Sequence, residues 1–259
     1  MCANVNFSCS KNVPIISKQE ICNKLFLLQD LKYKEFQASL IPSLDKNLII
    51  GVRTPELKKI AKNLFLNNDY SDFLNSLPHN YFEENQIHGF IISFIKDFNE
   101  QVVQLEKFFP FINNWATCDQ ISPKTFEKKE NAEKLLAKIK IWINSGDKFE
   151  YKVRFAIRML MNYFLDEQFD IKYLNLVANI KSEKYYVQMM IAWFFATALA
   201  KQYDAAAEII RSKKLEIWTH NKAIQKATES FRVDFEKKEE LKKLKILKNC
   251  GKEIKTFEI

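Results

Sequence analysis

The strongest constraint on this chain is its self-similarity. Shifts of 35 residues, or of twice that, bring four apolar segments into line: YFEENQIHGFIISF from Tyr81, YKVRFAIRMLMNYF from Tyr151, YVQMMIAWFFATAL from Tyr186 and NKAIQKATESFRVD from Asn221. Each is expected to start a helix. In this register Ile87, Ile157, Ala192 and Ala227 are equivalent, as are Ile91, Met161 and Ala196, and the copy due at 116 falls on ATCDQISPKTF. Five copies are therefore expected. A helix pair repeated every ~35 to 40 residues cannot bury its own apolar faces, so successive pairs must stack. Stacking leaves a concave inner surface lined at regular intervals by corresponding residues, and function is expected there.

The fold class that follows is all-α, a right-handed α-solenoid of HEAT-like helical repeats. Proline placement agrees with it. All six prolines (Pro14, Pro42, Pro55, Pro78, Pro110, Pro123) precede residue 124, so nothing beyond that point forces a helix to break. Gln19 to Ile41 carries apolar residues at helical spacing and predicts one long helix or two short ones. Thr54-Pro55-Glu56-Leu57 is a start signal: Thr to cap, Pro in the first turn, Glu at the positive end of the dipole. It predicts a helix from about Pro55 to Leu66. The expected domain organisation is a tail over 1–17, one repeat domain over 18–250 and a second tail over 251–259.

Composition removes several function classes. Only four glycines occur (Gly51, Gly89, Gly146, Gly251), which leaves no glycine-rich loop to cradle phosphates. Five cysteines (Cys2, Cys9, Cys22, Cys118, Cys250) with no C-x-x-C pair fit neither a disulfide framework nor a zinc module, and favour a reducing cytoplasm. His79, His88 and His220 stand at no ligand-like spacing, so no metal and no organic cofactor is expected. The N-terminal MCANVNFSCSKNVP lacks an apolar core and is not read as a secretory signal. Met189 to Ala200 is too short for a bilayer, which needs about 20 residues, and reads as a buried helix with no membrane role. A monomer is expected.

The net charge is +8, and the excess is distributed: Lys58, Lys59 and Lys62, then Lys138 and Lys140, Arg154 and Arg158, Lys222 and Lys226. A basic face of this kind attracts nucleic acid through long-range electrostatics and counterion release, although lysines on solvated helix faces are also common. The run EKKEELKKLKILKN (236–249) mixes both signs at helical spacing and chiefly supports an exposed helix. More specific is Asn114-Trp115-Ala116-Thr117-Cys118-Asp119, which places an indole and a carboxylate on one face if the segment is helical. Thr117-x-x-Gln120 has the form of a capping box, and Cys118 reads as a core filler. In the 35-residue register Asp119 corresponds to Arg154, and Trp193 lies one turn past their equivalent. Taken singly, each has a structural explanation: packing for Trp, capping for Asp, ion pairing for Arg.

Together these residues resemble the AlkD-type DNA alkylation-repair glycosylases, which are HEAT-like repeat proteins, over about residues 20 to 235. The resemblance is carried by Gly51-Val52-Arg53-Thr54-Pro55-Glu56 before a basic helix, Asn114-Trp115 with Asp119, Arg154 in VRFAIRMLM and Trp193 in MMIAWFF. It implies hydrolysis of the N-glycosidic bond of cationic alkylpurines, such as 3-methyladenine and 7-methylguanine, in duplex DNA. It also implies Asp119, Trp115 and Trp193 as catalytic residues and Arg154, Thr54, Arg53 and Arg158 as DNA-binding ones. The N-terminal stretch LFLLQDLKYKEFQASLIP leaves little room between its helices, so the family's DNA-clamping element is expected to be short. The alternative is a non-catalytic relative that binds nucleic acid or protein.

Overall fold

The computed structural model describes residues 17–67 and 70–247. Among them all regular structure is helical. Contacts divide the chain into two units, residues up to Asn131 and residues from Ala132 onward. The expected tails at 1–17 and 251–259 lie almost wholly outside the described residues, as do Cys2, Cys9 and Cys250.

The first unit contains α1 (Lys18–Leu27), α2 (Leu31–Leu40), α3 (Thr54–Leu66), α4 (Ser71–Asn75), α5 (Phe82–Phe94), α6 (Phe98–Phe108) and α7 (Trp115–Gln120). Gln19 to Ile41 therefore forms two helices. The break has two caps: Ser17 and Glu20 close a capping box on α1, and the Asp30 carboxylate accepts the Tyr33 N–H to begin α2. Only three residues, Leu28 to Asp30, separate the helices, as the short N-terminal element requires. Helix α3 packs on α5, and α5 on α7. Helix α5 is buried from Phe82 through Ser93, so it forms the middle of this unit.

The segment before α3 is fixed from two sides. Glu83, fully buried on α5, accepts the backbone N–H groups of Ile50, Gly51 and Val52 at 2.9, 2.7 and 3.3 Å. The Gln29 amide donates to the Ile50 carbonyl at 2.8 Å, and the Asp30 N–H donates to the Gly51 carbonyl at 2.9 Å. Burial pushes the Glu83 carboxyl above its usual range, and the backbone donors oppose that shift. Thr54 does not cap α3. The N-cap position is Arg53, with no side-chain cap bond, and Thr54 and Pro55 are the first helical residues. A buried carboxylate from another helix orders this start, which explains why the local Thr signal misled.

Gly51 is needed here for two reasons. Its φ is +101°, and a Cβ would lie 2.6 Å from the Asp30 carbonyl oxygen and 2.7 Å from Lys34 Cβ. Gly51→Ala is expected to destabilise the fold by about 2 kcal/mol, read as a lower urea midpoint at unchanged slope. An unchanged midpoint would show that the segment can move away from α2.

The second unit contains α8 (Ala132–Ile143), α9 (Glu150–Tyr163), α10 (Ile171–Ala178), α11 (Tyr185–Lys201), α12 (Tyr203–Arg211), α13 (Ile217–Glu229) and α14 (Phe235–Lys243). Helix α9 packs on α11, and α11 on α13, while α10 lies against α12 on the other side. Two layers result, with Trp142, Phe155, Phe164, Phe194 and Phe195 fully buried within the unit. The repeat period is visible in its bonds. Ser182 donates to Asp147, Lys181 pairs with Glu216 and Lys201 with Asp166, each across 35 residues, and Thr197 donates to Met161 Sδ across 36.

The helix starts follow the register. Helices α5, α7, α9 and α11 begin at Phe82, Trp115, Glu150 and Tyr185, but α13 begins at Ile217, so Asn221 lies inside its helix. Met189 to Ala200 lies in α11, mostly buried, and no described helix is long and apolar enough to cross a membrane. Of the charged C-terminal run, the described residues up to Lys243 are helical, tied by pairs such as Lys242 with Glu239.

Candidate nucleic-acid interface

Residues Trp115 and Asp119 stand one turn apart on α7, as the helical reading of that segment requires. The helix is short and depends on its cap. Asn114, buried before it, accepts the Thr117 N–H at 2.8 Å through its side-chain oxygen. Asn114, and not Thr117, is thus the capping residue. Thr117 instead accepts from the Gln86 side chain at 3.0 Å, which fastens α7 to α5. Cys118 is fully buried, in keeping with a packing role.

The two polar-faced residues of α7 differ in how they are held. Trp115 is half-buried against a cluster of Ile41, Ile49, Phe82 and Ala116, and its indole N–H donates to the Leu40 carbonyl at 3.1 Å. That carbonyl belongs to the last turn of α2, where helical carbonyls lack internal partners. Trp115 therefore ties α7 to the end of α2 and still exposes part of its ring. Asp119 is partly exposed.

Arg53 and Thr54 lie at the start of α3. The Arg53 guanidinium pairs with Asp30 at 2.8 Å and lies 5.0 Å from the centre of the Tyr33 ring. The Tyr33 N–H and then Arg53 hold the Asp30 carboxyl below its ordinary range. Thr54 is partly exposed, and Lys58, Lys59 and Lys62 project from the solvent face of the same helix.

In the second unit Arg154 and Arg158 are one turn apart on α9, and both are buried, at 3% and 8% exposure. Arg154 Nη1 donates to the Tyr186 carbonyl at 2.8 Å, with its guanidinium 6.0 Å from the Tyr186 ring centre. Arg158 lies 5.4 Å from the Phe155 ring centre. Trp193 on α11 is 42% exposed and walls a groove of about 310 Å³ together with Thr197, Lys226, Glu229 and Arg232. An exposed indole beside two cations is suited to a planar or cationic ligand near phosphate.

Two arrangements escaped the sequence reading. His79 and His88, which spacing did not connect, face each other at 2.8 Å between Nε2 and Nδ1 in the first unit. They are enclosed by Phe73 and Phe108. Glu83 is the second. Among the described residues no group of three or more His, Cys, Asp or Glu side chains is placed to hold a metal ion.

Residues 23–228 match the family of DNA alkylation repair enzymes. The chain belongs to that family. The matched span runs from within α1 to the last turn of α13, so it includes every candidate residue above. No curated protein matches the chain. Membership assigns this repair-family chain to DNA alkylation repair.

Proposed function

We propose that the chain is a DNA N-glycosylase that releases cationic alkylpurines, such as 3-methyladenine and 7-methylguanine, from duplex DNA. Its helix pairs would continue as a right-handed solenoid of HEAT-like repeats, acting as a monomer in the cytoplasm. The observation that carries the reading is α7: a capped helix within the family match that displays a partly exposed carboxylate one turn from a partly exposed indole.

The chemistry asks little of such a site. Alkylation leaves positive charge on the purine, so when the C1′–N bond breaks the base takes the electron pair and departs neutral. The deoxyribose becomes oxocarbenium-like, water adds its oxygen to C1′, and the surplus proton passes to solvent. Asp119 stabilises the cationic sugar and orients the water, which is electrostatic catalysis more than proton transfer. The ring of Trp115 adds cation–π attraction, about 0.5 to 2 kcal/mol, and within the second unit the Trp193 ring offers the DNA the same kind of contact. Arg53 and Thr54, at the surface, contact the DNA backbone, while Arg154 and Arg158, 3% and 8% exposed, need a side-chain movement to reach a phosphate.

The deciding experiment is incubation of the protein with methylated duplex DNA followed by measurement of free base. Release of alkylpurine supports the proposal. A second reading, a non-catalytic relative that binds nucleic acid or protein, is favoured by the brevity of α1 and α2, and no release at high protein concentration selects it. Arg154 has its own test: Arg154→Ala is expected to lower the slope of log affinity against log salt by about one. An unchanged slope removes Arg154 from the phosphate contacts.

A further inference from the structure

Across the second unit, aromatic rings at the N-terminal ends of three successive packed helices form a continuous series. Tyr151 opens α9, Tyr185 and Tyr186 open α11, and Trp218 opens α13. Ring centres lie 5.9 Å apart for Tyr151 and Tyr186, 5.2 Å for Tyr186 and Tyr185, and 5.6 Å for Tyr185 and Trp218. Exposure peaks at its third ring: Tyr151 is buried, Tyr186 and Trp218 are partly exposed, and Tyr185 is 53% exposed. Trp218 also walls a cleft of about 670 Å³ beside Gln188 and Lys181.

Packing does not account for this series. A ring that only fills a core is covered, whereas Tyr185 offers half of its surface to solvent and Ile217 beside it is 49% exposed. Cations accompany the rings at both ends. Arg154 lies 6.0 Å from the Tyr186 ring centre and Lys222 lies 5.7 Å from that of Trp218, while Lys148 and Lys152 flank Phe149 at 5.7 and 5.5 Å. Three carboxylates of this edge are engaged within the unit, while Glu183, exposed, also lines the cleft beside Trp218. Asp147 accepts from Ser182 and the Glu183 N–H, Glu150 accepts the Tyr186 N–H, and Glu216 pairs with Lys181.

We infer that this aromatic edge, centred on Tyr185 and Trp218, is a stacking platform for the unpaired bases of single-stranded DNA. Every base has a π-face, so exposed aromatic rings interleaved with cations hold a single strand with little regard to sequence. A duplex keeps its bases stacked on one another and presents no such face. The surface therefore fits a gap, an overhang or a melted stretch beside a damaged site, and it is distinct from α7 and from the Trp193 groove. The inference rests on the proposed action on DNA only for the kind of nucleic acid, and it is tested without base release.

Binding of an oligothymidylate to the full chain, followed by quenching of tryptophan fluorescence and by anisotropy of a labelled strand, is the test. Tyr185→Ala and Trp218→Ala are each expected to weaken single-strand binding on the order of tenfold, while leaving duplex affinity unchanged. Tyr185→Phe should retain binding, which separates stacking from loss of the hydroxyl. Thermal unfolding of each variant monitors the fold, and the exposed Tyr185 position keeps the test valid if Trp218→Ala proves unstable. Single-strand affinity unaltered in folded Tyr185→Ala, or no measurable binding of oligothymidylate by the native chain, overturns the platform. Failure of base release with single-strand binding intact overturns the glycosylase reading alone.

Discussion

Asp119→Asn is expected to lower release of free alkylpurine by about 100- to 1,000-fold, the usual cost of removing one electrostatic contact to a developing charge. The amide keeps the size and shape of the carboxylate and loses its charge. That charge matters because the sugar is nearly neutral in the bound substrate and cationic at the transition state, so the loss falls on kcat more than on KM. The substitution should leave the fold intact. Helix α7 is held by the Asn114 cap, by Gln86 on Thr117 and by Trp115 on the Leu40 carbonyl, and the isosteric amide keeps the volume of the carboxylate. Single-turnover assays on methylated duplex, with circular dichroism as the structural control, give the measurement. Release by Asp119→Asn at the native rate would remove the carboxylate from the mechanism. Trp115→Phe should show a mixed result, because it removes both an aromatic contact and the bond from α7 to the end of α2.

The sequence exposed features that repeat and concealed those that depend on a backbone carbonyl. The 35-residue period was legible because apolar positions such as Ile157, Ala192 and Ala227 recur at it, and side chains that bond across the second unit keep the same spacing: Asp147 with Ser182, Asp166 with Lys201, Lys181 with Glu216. In the first unit the corresponding bond from Gln86 to Thr117 spans 31 residues, so the copy due at 116 aligned poorly although its helix was present. The Trp115–Asp119 face was legible because it requires only a helix. By contrast, Trp115 donates to the carbonyl of Leu40 and Arg154 to that of Tyr186. Every residue carries a carbonyl, so neither partner leaves a mark in the sequence. Glu83 was hidden differently: an acid in the first turn of a helix reads as a dipole partner, and only its burial shows that it serves another segment.

Acid should destabilise the first unit well before its surface carboxylates protonate, and the cause is the His79–His88 pair. His79 stacks on Phe73 with ring centres 4.5 Å apart, and His88 on Phe108 at 4.0 Å. One proton can lie between the facing nitrogens, while His79 Nδ1 and His88 Nε2 are buried without a hydrogen-bond partner. A proton beyond the two ring protons of the neutral pair would place charge in an aromatic enclosure beside Lys18, whose ammonium is fixed on the Ser76 and Pro78 carbonyls. Burial accordingly lowers His79 to about 3, with Lys18 adding to the shift, and holds His88 well below its ordinary value. The unfolded chain binds these protons near 6.5, so below that pH it holds more protons than the folded chain and stability falls as pH falls. The contribution is complete above about 6.5 and is lost progressively toward 3, at roughly 1.4 kcal/mol per pH unit for each ring. Between pH 7 and 5 His79 alone should thus remove about 2 kcal/mol, a sizeable share of the ~5 to 15 kcal/mol typical of a domain, and His88 adds a loss of the same sign. Glu83 opposes this, since a carboxyl raised by burial favours the folded state as pH falls, but it is one group against two. Asp30, Asp170, Glu20 and Glu240 are lowered, so their losses come below the usual carboxylate range and outside this window. Urea titrations at pH 7, 6 and 5 should show a falling midpoint, and replacing both imidazoles with leucine should flatten that part of the profile even if stability at pH 7 changes. A midpoint independent of pH over this interval would mean that the pair admits a charging proton without cost.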